Sequence, residues 1–113
     1  MILYTRYHEI MARHINFNHD DLANLCRQHR ISKLSLFGSA LREDFQPGDS
    51  DIDLLVEFYP DKDALLSYFD LARIQLDLQD LLGHPVDLAV ANALDPYLQG
   101  QILSTAQVQY DAA

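Results

Sequence analysis

Apolar positions along the chain change their spacing several times, and each change predicts a new element. Residues 20–30 carry Leu22, Leu25 and Cys26 at helical spacing, and acidic residues open the segment, as is typical of a helix N-terminus. Residues 32–37 follow with a brief apolar alternation that predicts a strand. The main body of the chain is therefore expected to begin as a helix followed by a strand.

Two further strands are predicted farther along the chain. Residues 51–58 contain the unbroken apolar run Leu54, Leu55 and Val56, which is typical of a strand covered on both faces. Residues 85–90 form a shorter apolar segment that a single acidic residue interrupts. Together with the first strand, these segments predict a small sheet.

A long helix is predicted between these two strands, over residues 64–82. Asp61 or Asp63 is expected to cap it, and Gly83 followed by Pro85 is a regular termination signal. Its expected core stripe follows helical spacing and consists of Leu65, Phe69, Ala72 and Leu76, widened by Ile74, Leu78 and Leu81. We expect this helix to be mostly core, with its acidic residues in solvent.

The C-terminal part predicts one more helix and a short edge strand. Asp95 suits an N-cap and Pro96 the first helical position of a helix that runs through residue 105. The apolar side of this helix is formed by Leu98, Ile102 and Leu103. Residues 107–110 are expected to add the edge strand. The predicted fold class is therefore α/β, with a small mixed sheet and helices packed mainly on one face.

The length of 113 residues allows one domain with a single core. Residues 1–18 carry apolar residues at helical spacing and are expected to form an N-terminal extension or a short helix, and residues 19–113 form the domain. A chain of this size has little material for a second, substrate-binding domain. A partner protein could therefore supply the group on which the chain acts.

The net charge of −9 excludes a nucleic-acid backbone as the main partner, because phosphate contacts require clustered Lys and Arg. The charge is also unevenly spread, at +2 over residues 1–33 and −11 over the remainder. An acidic body suits a divalent metal ion or a basic protein. A surface that only keeps the protein in solution explains the charge equally well.

The cellular setting is predicted from cysteine use and hydropathy. Cys26 is the only cysteine, so an internal disulfide is impossible and an intracellular, cytoplasmic location is favoured. The opening residues carry charges where a signal peptide would need an apolar core, and no apolar run is long enough to span a membrane.

Three aspartates stand out as candidates for metal binding. Asp51 and Asp53 are two apart in a predicted strand, so their carboxylates project to one face. Asp87 lies between apolar residues of the third strand, where a carboxylate is costly unless a positive group faces it. Oxygen ligands of this kind suit Mg²⁺. A solvated loop edge at the first pair and a structural aspartate at Asp87 are the competing explanations.

A candidate phosphate site precedes these aspartates. Gly38 and Ser39 follow the first strand and suit an abrupt turn into a helix N-terminus, where backbone N–H groups and the serine hydroxyl can hold a phosphate. Arg42 lies one turn farther in a predicted short helix over residues 40–45 and could reach a triphosphate. A surface salt bridge to a neighbouring acidic residue is the alternative for Arg42.

These features combine into three motifs in a fixed order: Phe37-Gly38-Ser39, then Ser50-Asp51-Ile52-Asp53-Leu54, then Val86-Asp87-Leu88. The arrangement resembles the polymerase-β-like nucleotidyltransferases. Within them it is most similar to the minimal nucleotidyltransferase branch, whose members act as antitoxins to small HEPN-type RNase toxins. The resemblance covers roughly residues 20–110.

The resemblance implies a specific activity and partner. In that family the three aspartates, here Asp51, Asp53 and Asp87, hold Mg²⁺ and ATP, and the third also helps to deprotonate the attacking hydroxyl. Gly38, Ser39 and Arg42 match the nucleotide-binding positions. The implied reaction transfers AMP from ATP to a tyrosine of the cognate toxin.

Two other functions are compatible with the residues. The first is an acidic antitoxin that neutralises a basic RNase by binding alone, without catalysis. The second is adenylylation of a small molecule such as an aminoglycoside, which would need an acceptor domain that the chain does not visibly contain.

Overall fold

The computed structural model describes residues 17–38, 51–63 and 66–112. Its elements, in chain order, are α1 (His19–Gln28), β1 (Ile31–Phe37), β2 (Ile52–Phe58), α2 (Pro60–Asp63), α3 (Tyr68–Leu82), β3 (Val86–Val90), a 3₁₀ turn (Ala91–Ala93), α4 (Pro96–Thr105) and β4 (Gln107–Asp111). Ser39, Arg42, the short helix predicted around Arg42 and most of the N-terminal extension lie outside the described residues. No helix in the described ranges has the length and apolar character needed to cross a membrane.

The four strands form one mixed sheet in the order β3-β2-β1-β4. β2 and β3 run parallel, with α3 in the connection between them, whereas β1 is antiparallel to both of its neighbours, β2 and β4. The predicted fold class is therefore confirmed, including the edge strand at the C-terminus.

The core lies between one face of this sheet and the helices α1 and α3. Every second residue of β2 points into it, beginning with Ile52 and Leu54, which are fully buried. Leu22 of α1 and Leu78 of α3 are likewise fully buried and belong to the same apolar cluster. Because α1 and α3 also contact each other, they pack on the same side of the sheet.

The helix predicted over residues 64–82 is wrong at its beginning. α2 ends at Asp63, and α3 starts only at Tyr68. Its cap is Ser67, not Asp61 or Asp63: the Ser67 hydroxyl accepts a hydrogen bond from the Asp70 backbone N–H at 3.2 Å, and the Asp70 carboxylate accepts one from the Ser67 N–H at 3.0 Å. This reciprocal capping box defines the start of the helix locally.

The predicted core stripe of this helix is also wrong. Phe69 and Leu76 are 84% and 60% exposed, and Ala72 is exposed as well. The buried stripe instead consists of residues that were expected only to widen it, together with the last residue of the helix: Ile74, Leu78 and Leu82. Leu65 lies outside the described residues.

Hydrogen bonds to the neighbouring strand explain which stripe is buried. The Gln75 side-chain amide donates to the Val86 carbonyl oxygen at 2.7 Å, and the Val86 N–H donates to the Gln79 side-chain oxygen at 3.1 Å. Both bonds require the glutamine side of α3 to face the start of β3. Helical spacing alone does not contain this constraint, because α3 carries two apolar stripes.

The predicted helix α4 is confirmed together with its cap. The Asp95 carboxylate accepts a hydrogen bond from the Tyr97 N–H at 2.9 Å, and Pro96 occupies the first helical position. None of its residues is buried, and Leu98 and Leu103 remain 47% and 42% exposed. The apolar side of α4 therefore does not form part of the core.

Candidate functional site

The structure places Asp53 and Asp87 side by side on two parallel strands. Asp53 of β2 is the direct register partner of Asp87 of β3, and Ile52 is the partner of Val86. Because Ile52 and Val86 are buried in the helix-covered core, the alternating aspartates project from the opposite face of the sheet. Asp87 is exposed and Asp53 is partly exposed, so both carboxylates are accessible at this face.

Gly38 completes this arrangement on the other side of Asp53. It follows β1 directly, and Phe37 at the end of β1 is the register partner of Asp53. Gly38 has a φ of +71°, in the left-handed region that favours glycine. A Cβ atom at this position would overlap Oδ2 of Asp53 and lie 3.2 Å from its Cγ. Any side chain at this position would therefore require the Asp53 carboxylate to move from its present place.

Asp51 lies one residue before β2, which begins at Ile52 and not at Asp51 as predicted. Its side chain is exposed, and its direction is not set by strand alternation. The Ile52 N–H donates to the Pro85 carbonyl oxygen at 2.9 Å, which ties the segment before β2 to the segment before β3. Asp51 therefore belongs to the same end of the sheet as Asp53 and Asp87.

The described ranges do not contain three His, Cys, Asp or Glu side chains that converge closely enough to hold a metal ion. The backbone brings Asp53 and Asp87 together, with Asp51 nearby, but the three carboxylates do not meet at one point. A metal site at Asp51, Asp53 and Asp87 therefore stays a prediction. The donor set fits Mg²⁺ chemically, because it consists of carboxylate oxygens on an accessible sheet face.

Two residues that support the site were not singled out from the sequence. Gln75 and Gln79 hold the backbone of Val86, the residue immediately before Asp87. In the sequence they are two glutamines four residues apart in a predicted helix, a spacing that places both side chains on one face of the helix. The partner of such a pair, however, is visible only once β3 is placed beside α3.

Cys26 is excluded as a reactive group by its surroundings. It is fully buried in the core between α1 and the sheet. Burial raises the pKa of its thiol to about 12, with Arg27 acting weakly in the other direction. The thiol is therefore protonated at neutral pH and is not a nucleophile.

A cavity of about 700 Å³ lies at the opposite end of the sheet, where β2 and β3 finish. Its described walls combine apolar side chains such as Val56, Phe58 and Leu66 with the polar side chains of Glu57 and Asn92. The paired aspartates Asp53 and Asp87 do not line it, so the candidate site is separate from this cavity.

The mixed four-stranded sheet, the glycine turn after β1 and the paired aspartates at the starts of β2 and β3 define a nucleotidyltransferase fold. The family model for the nucleotidyltransferase domain matches residues 21–108, which is most of the chain. The chain belongs to the nucleotidyltransferase domain family and, within it, to the minimal nucleotidyltransferases, which confirms the resemblance found in the sequence.

Individual relatives support this assignment. "Putative protein adenylyltransferase MJ0435" of Methanocaldococcus jannaschii is 39% identical over 79 residues, which covers 70% of this chain and 80% of that protein. The solved structure named "putative minimal nucleotidyltransferase" is 35% identical, with a TM-score of 0.64 over 78% of this chain and 85% of the other. The chain is accordingly an enzyme of the nucleotidyltransferase class, with a nucleotide as substrate.

A more distant structure shares the fold. The MNT antitoxin structure in complex with the tri-AMPylated HEPN toxin of Shewanella oneidensis is 20% identical, with a TM-score of 0.58 over 82% of this chain and 69% of the other. At this identity the similarity concerns the fold alone.

Proposed function

We propose that this chain is a Mg²⁺-dependent protein adenylyltransferase that transfers AMP from ATP to a tyrosine of a cognate HEPN-type RNase toxin and thereby neutralises it. The observation that carries the proposal is the register pairing of Asp53 with Asp87, with Gly38 leaving room for the Asp53 carboxylate. The relative at 39% identity bears the name of a protein adenylyltransferase, and the fold is shared with an antitoxin bound to an AMPylated toxin.

Asp51, Asp53 and Asp87 would hold the metal ion in this proposal. When bound, Mg²⁺ supplies positive charge that stabilises the oxygens of the attacking and leaving groups in an in-line displacement. The carboxylates of Asp53 and Asp87 lie on neighbouring strands, so rigid backbone pairing sets their spacing. Such a pairing keeps the ligands in place without a flexible loop.

The nucleotide would be held at the turn after β1. Gly38 and Ser39 offer backbone N–H groups and a hydroxyl for the distal phosphates, and Arg42 adds a positive charge. The tyrosine oxygen of the acceptor forms a bond to the α-phosphorus of ATP while the bond to the bridging oxygen breaks, and pyrophosphate leaves. Asp87 receives the proton of the tyrosine hydroxyl.

The acceptor is proposed to come from the partner because the fold is shared with an MNT antitoxin in complex with an AMPylated HEPN toxin. The net charge of −9 favours a basic partner protein, and an enzyme that binds and cuts RNA carries such a basic surface. Residues 1–18 are proposed to be an extension of this domain, and the pair is proposed to act in the cytoplasm. No direct contact of the chain with nucleic acid is part of the proposal.

Transfer of labelled AMP tests the proposal directly. The full chain is incubated with α-labelled ATP, Mg²⁺ and the purified HEPN-type partner, and the label on the partner is measured. Asp53→Asn and Asp87→Asn are each expected to lower the transfer rate by about 1,000-fold, because both remove a metal-binding charge from the reacting centre. Asp20→Asn, which removes an exposed acidic residue of α1, is the matched control and is expected to leave the rate unchanged.

A second function is favoured by one observation, the concentration of acidic residues outside residues 1–33. The chain could neutralise a basic RNase by covering it, without catalysis. RNase activity measured in the same samples separates the two functions. If the Asp53→Asn variant still inhibits the RNase although it transfers no label, binding alone replaces the catalytic proposal. If the variant loses both RNase inhibition and label transfer, the catalytic proposal is supported.

A further inference from the structure

The outward side of α3 exposes an unusual amount of apolar surface. Tyr68 and Phe69 are each 84% exposed and Leu76 is 60% exposed, with the exposed Ala72 between them. Their spacing places them on one side of the helix, away from the buried stripe that contains Leu78. We call Tyr68, Phe69, Ala72 and Leu76 the α3 outer face. Clustered apolar side chains on a surface mark an interaction site more often than scattered ones do.

An acidic groove lies between α1 and α3, and its described lining includes three carboxylates, from Asp21, Asp77 and Asp80. Arg27 of α1 donates to the lining residue Asn24 at 2.7 Å, so the groove holds more negative than positive charge. Asp77 is bonded to His29 of α1 at 2.7 Å, which fixes the two helices against each other along the groove. An apolar half and an acidic half therefore lie next to each other on one rigid helix pair.

Arg73 is an exposed cation that follows Phe69 by one turn and borders the α3 outer face. Asp80 follows Leu76 by one turn and opens onto the groove. The exposed apolar side chains thus lie toward the start of α3, while the two carboxylates of α3 that line the groove, Asp77 and Asp80, lie toward its end.

This distribution distinguishes between possible occupants. A second copy of this chain would bring its own acidic groove and a net charge of −9 to the same interface, and like charges oppose such contact. A basic amphipathic helix offers apolar side chains for the first half and lysine or arginine for the second. We infer that the α3 outer face and the adjoining groove dock a basic amphipathic helix of a partner protein.

The proposed docking surface is separate from the aspartate site. Asp53 and Asp87 project from the sheet face opposite α1 and α3, while Gln79 links the last turns of α3 to the start of β3. A partner held on the α3 outer face would not cover the sheet face from which the aspartates project. The inference rests on the proposed function only in naming the partner as the HEPN-type RNase. The surface and its chemistry stand without that name.

A defined peptide tests the surface independently of any enzyme activity. The probe is a fluorescein-labelled amphipathic helix with leucine on one side and lysine on the other, titrated against the full chain by fluorescence anisotropy. The combined substitutions Phe69→Ser and Leu76→Ser are expected to weaken binding by about 100-fold, because they remove the central apolar contacts. Leu98→Ser with Leu103→Ser, on the exposed side of α4, is the matched control and is expected to leave binding unchanged.

The acidic half is tested with conservative neutral variants. Asp21→Asn combined with Asp80→Asn is expected to weaken binding by about 10-fold at low salt, with a smaller effect as the salt concentration rises. Asp20→Asn is the control, since Asp20 is an exposed neighbour in α1 that does not line the groove. A peptide with glutamate in place of lysine is expected to bind at least about 10-fold more weakly than the lysine peptide.

Several results would overturn the inference. Equal binding by the α3 and α4 variants would show that the peptide does not select this face. A dimer of the free chain in light scattering that Phe69→Ser and Leu76→Ser convert to a monomer would assign the face to a second copy. Circular dichroism of each variant shows that weaker binding does not arise from unfolding.

The same variants distinguish this inference from the proposed function. With the purified HEPN-type partner, Phe69→Ser with Leu76→Ser is expected to raise the partner concentration needed for half-maximal AMP transfer by about 100-fold. Transfer that depends on Asp53 but not on Phe69 or Leu76 supports the activity and rejects the docking surface. Binding that depends on Phe69 and Leu76 without any transfer supports the docking surface and rejects the activity.

Discussion

The aspartate edge of the sheet and the outward side of α3 are positioned by different kinds of constraint. At the aspartate site, the hydrogen-bonded register of the parallel strands β2 and β3 places Asp53 beside Asp87. Gly38 next to them adopts a left-handed φ of +71°. On α3, two apolar stripes compete for the core, and the contacts of Gln75 and Gln79 with β3 accompany the burial of one of them. The aspartate site thus depends on backbone pairing between strands, whereas the exposed face of α3 depends on which side of the helix packs on the core.

Among substitutions that keep all three aspartates, the largest effect is expected from a methyl group at Gly38. Gly38→Ala is expected to lower the AMP transfer rate by about 100-fold or more, because its Cβ would displace the Asp53 carboxylate by a distance that is large for a reacting centre. The alanine also has to adopt a left-handed φ, which costs about 1 kcal/mol. Transfer kinetics and the free energy of unfolding are measured on the same protein.

Gly83→Ala is the matched control for this substitution. Gly83 ends α3 with the same φ of +71°, but a Cβ there would meet no described atom within 4 Å. We expect a similar loss of about 1 kcal/mol in the free energy of unfolding with unchanged transfer. Equal transfer rates for the two alanine variants would mean that the contact between Gly38 and Asp53 has no role in the reaction.

The second prediction compares two leucines of α3. Leu78→Ala is expected to lower the free energy of unfolding by about 2–5 kcal/mol, because Leu78 is fully buried and its truncation leaves a cavity. Leu76→Ala, two residues earlier and 60% exposed, is expected to change it by about 0.5 kcal/mol or less. Urea denaturation measures both. Losses of similar size would contradict the burial of Leu78 and the exposure of Leu76.

The sequence was sufficient wherever a local rule decides the structure. The Asp95–Pro96 helix start, the strands around Asp53 and Asp87 and the order of the elements all follow from caps, alternation and turn residues. The bond between Ile52 and Pro85, which ties together the two strand starts, connects residues far apart in the chain and has no such signature.

The two errors in α3 have different causes, both of them local. Leu65, Phe69, Ala72 and Leu76 fit helical spacing as well as Ile74, Leu78 and Leu82 do, so periodicity could not select the buried stripe. The helix start was placed too early because acidic residues at positions 61 and 63 are good caps in isolation. The site residues Ser39 and Arg42 stay predictions.

The smallest effect concerns the capping box that starts α3. Ser67→Ala removes the hydroxyl that accepts the Asp70 N–H and is expected to lower the free energy of unfolding by about 1 kcal/mol. Ser104→Ala is the control, since the Ser104 hydroxyl donates to a carbonyl inside α4 at Gln101 and caps no helix start. If Ser104→Ala lowered the free energy of unfolding more than Ser67→Ala does, the capping box would not explain why α3 begins at Tyr68.

The same box predicts a pH dependence. The hydrogen bond from the Ser67 backbone N–H, helped by Lys62 at 3.3 Å, holds the pKa of the Asp70 carboxyl below its usual value. A lowered pKa means that the folded state binds the proton less readily than the unfolded state does. The stabilisation is therefore present above the unfolded pKa of about 3.8 and is lost as the pH falls through the lower folded value. Thermal denaturation between pH 6 and pH 2 is expected to show a smaller decline for Asp70→Asn than for the unmodified chain, and an identical decline would show that the carboxylate contributes nothing to the start of α3.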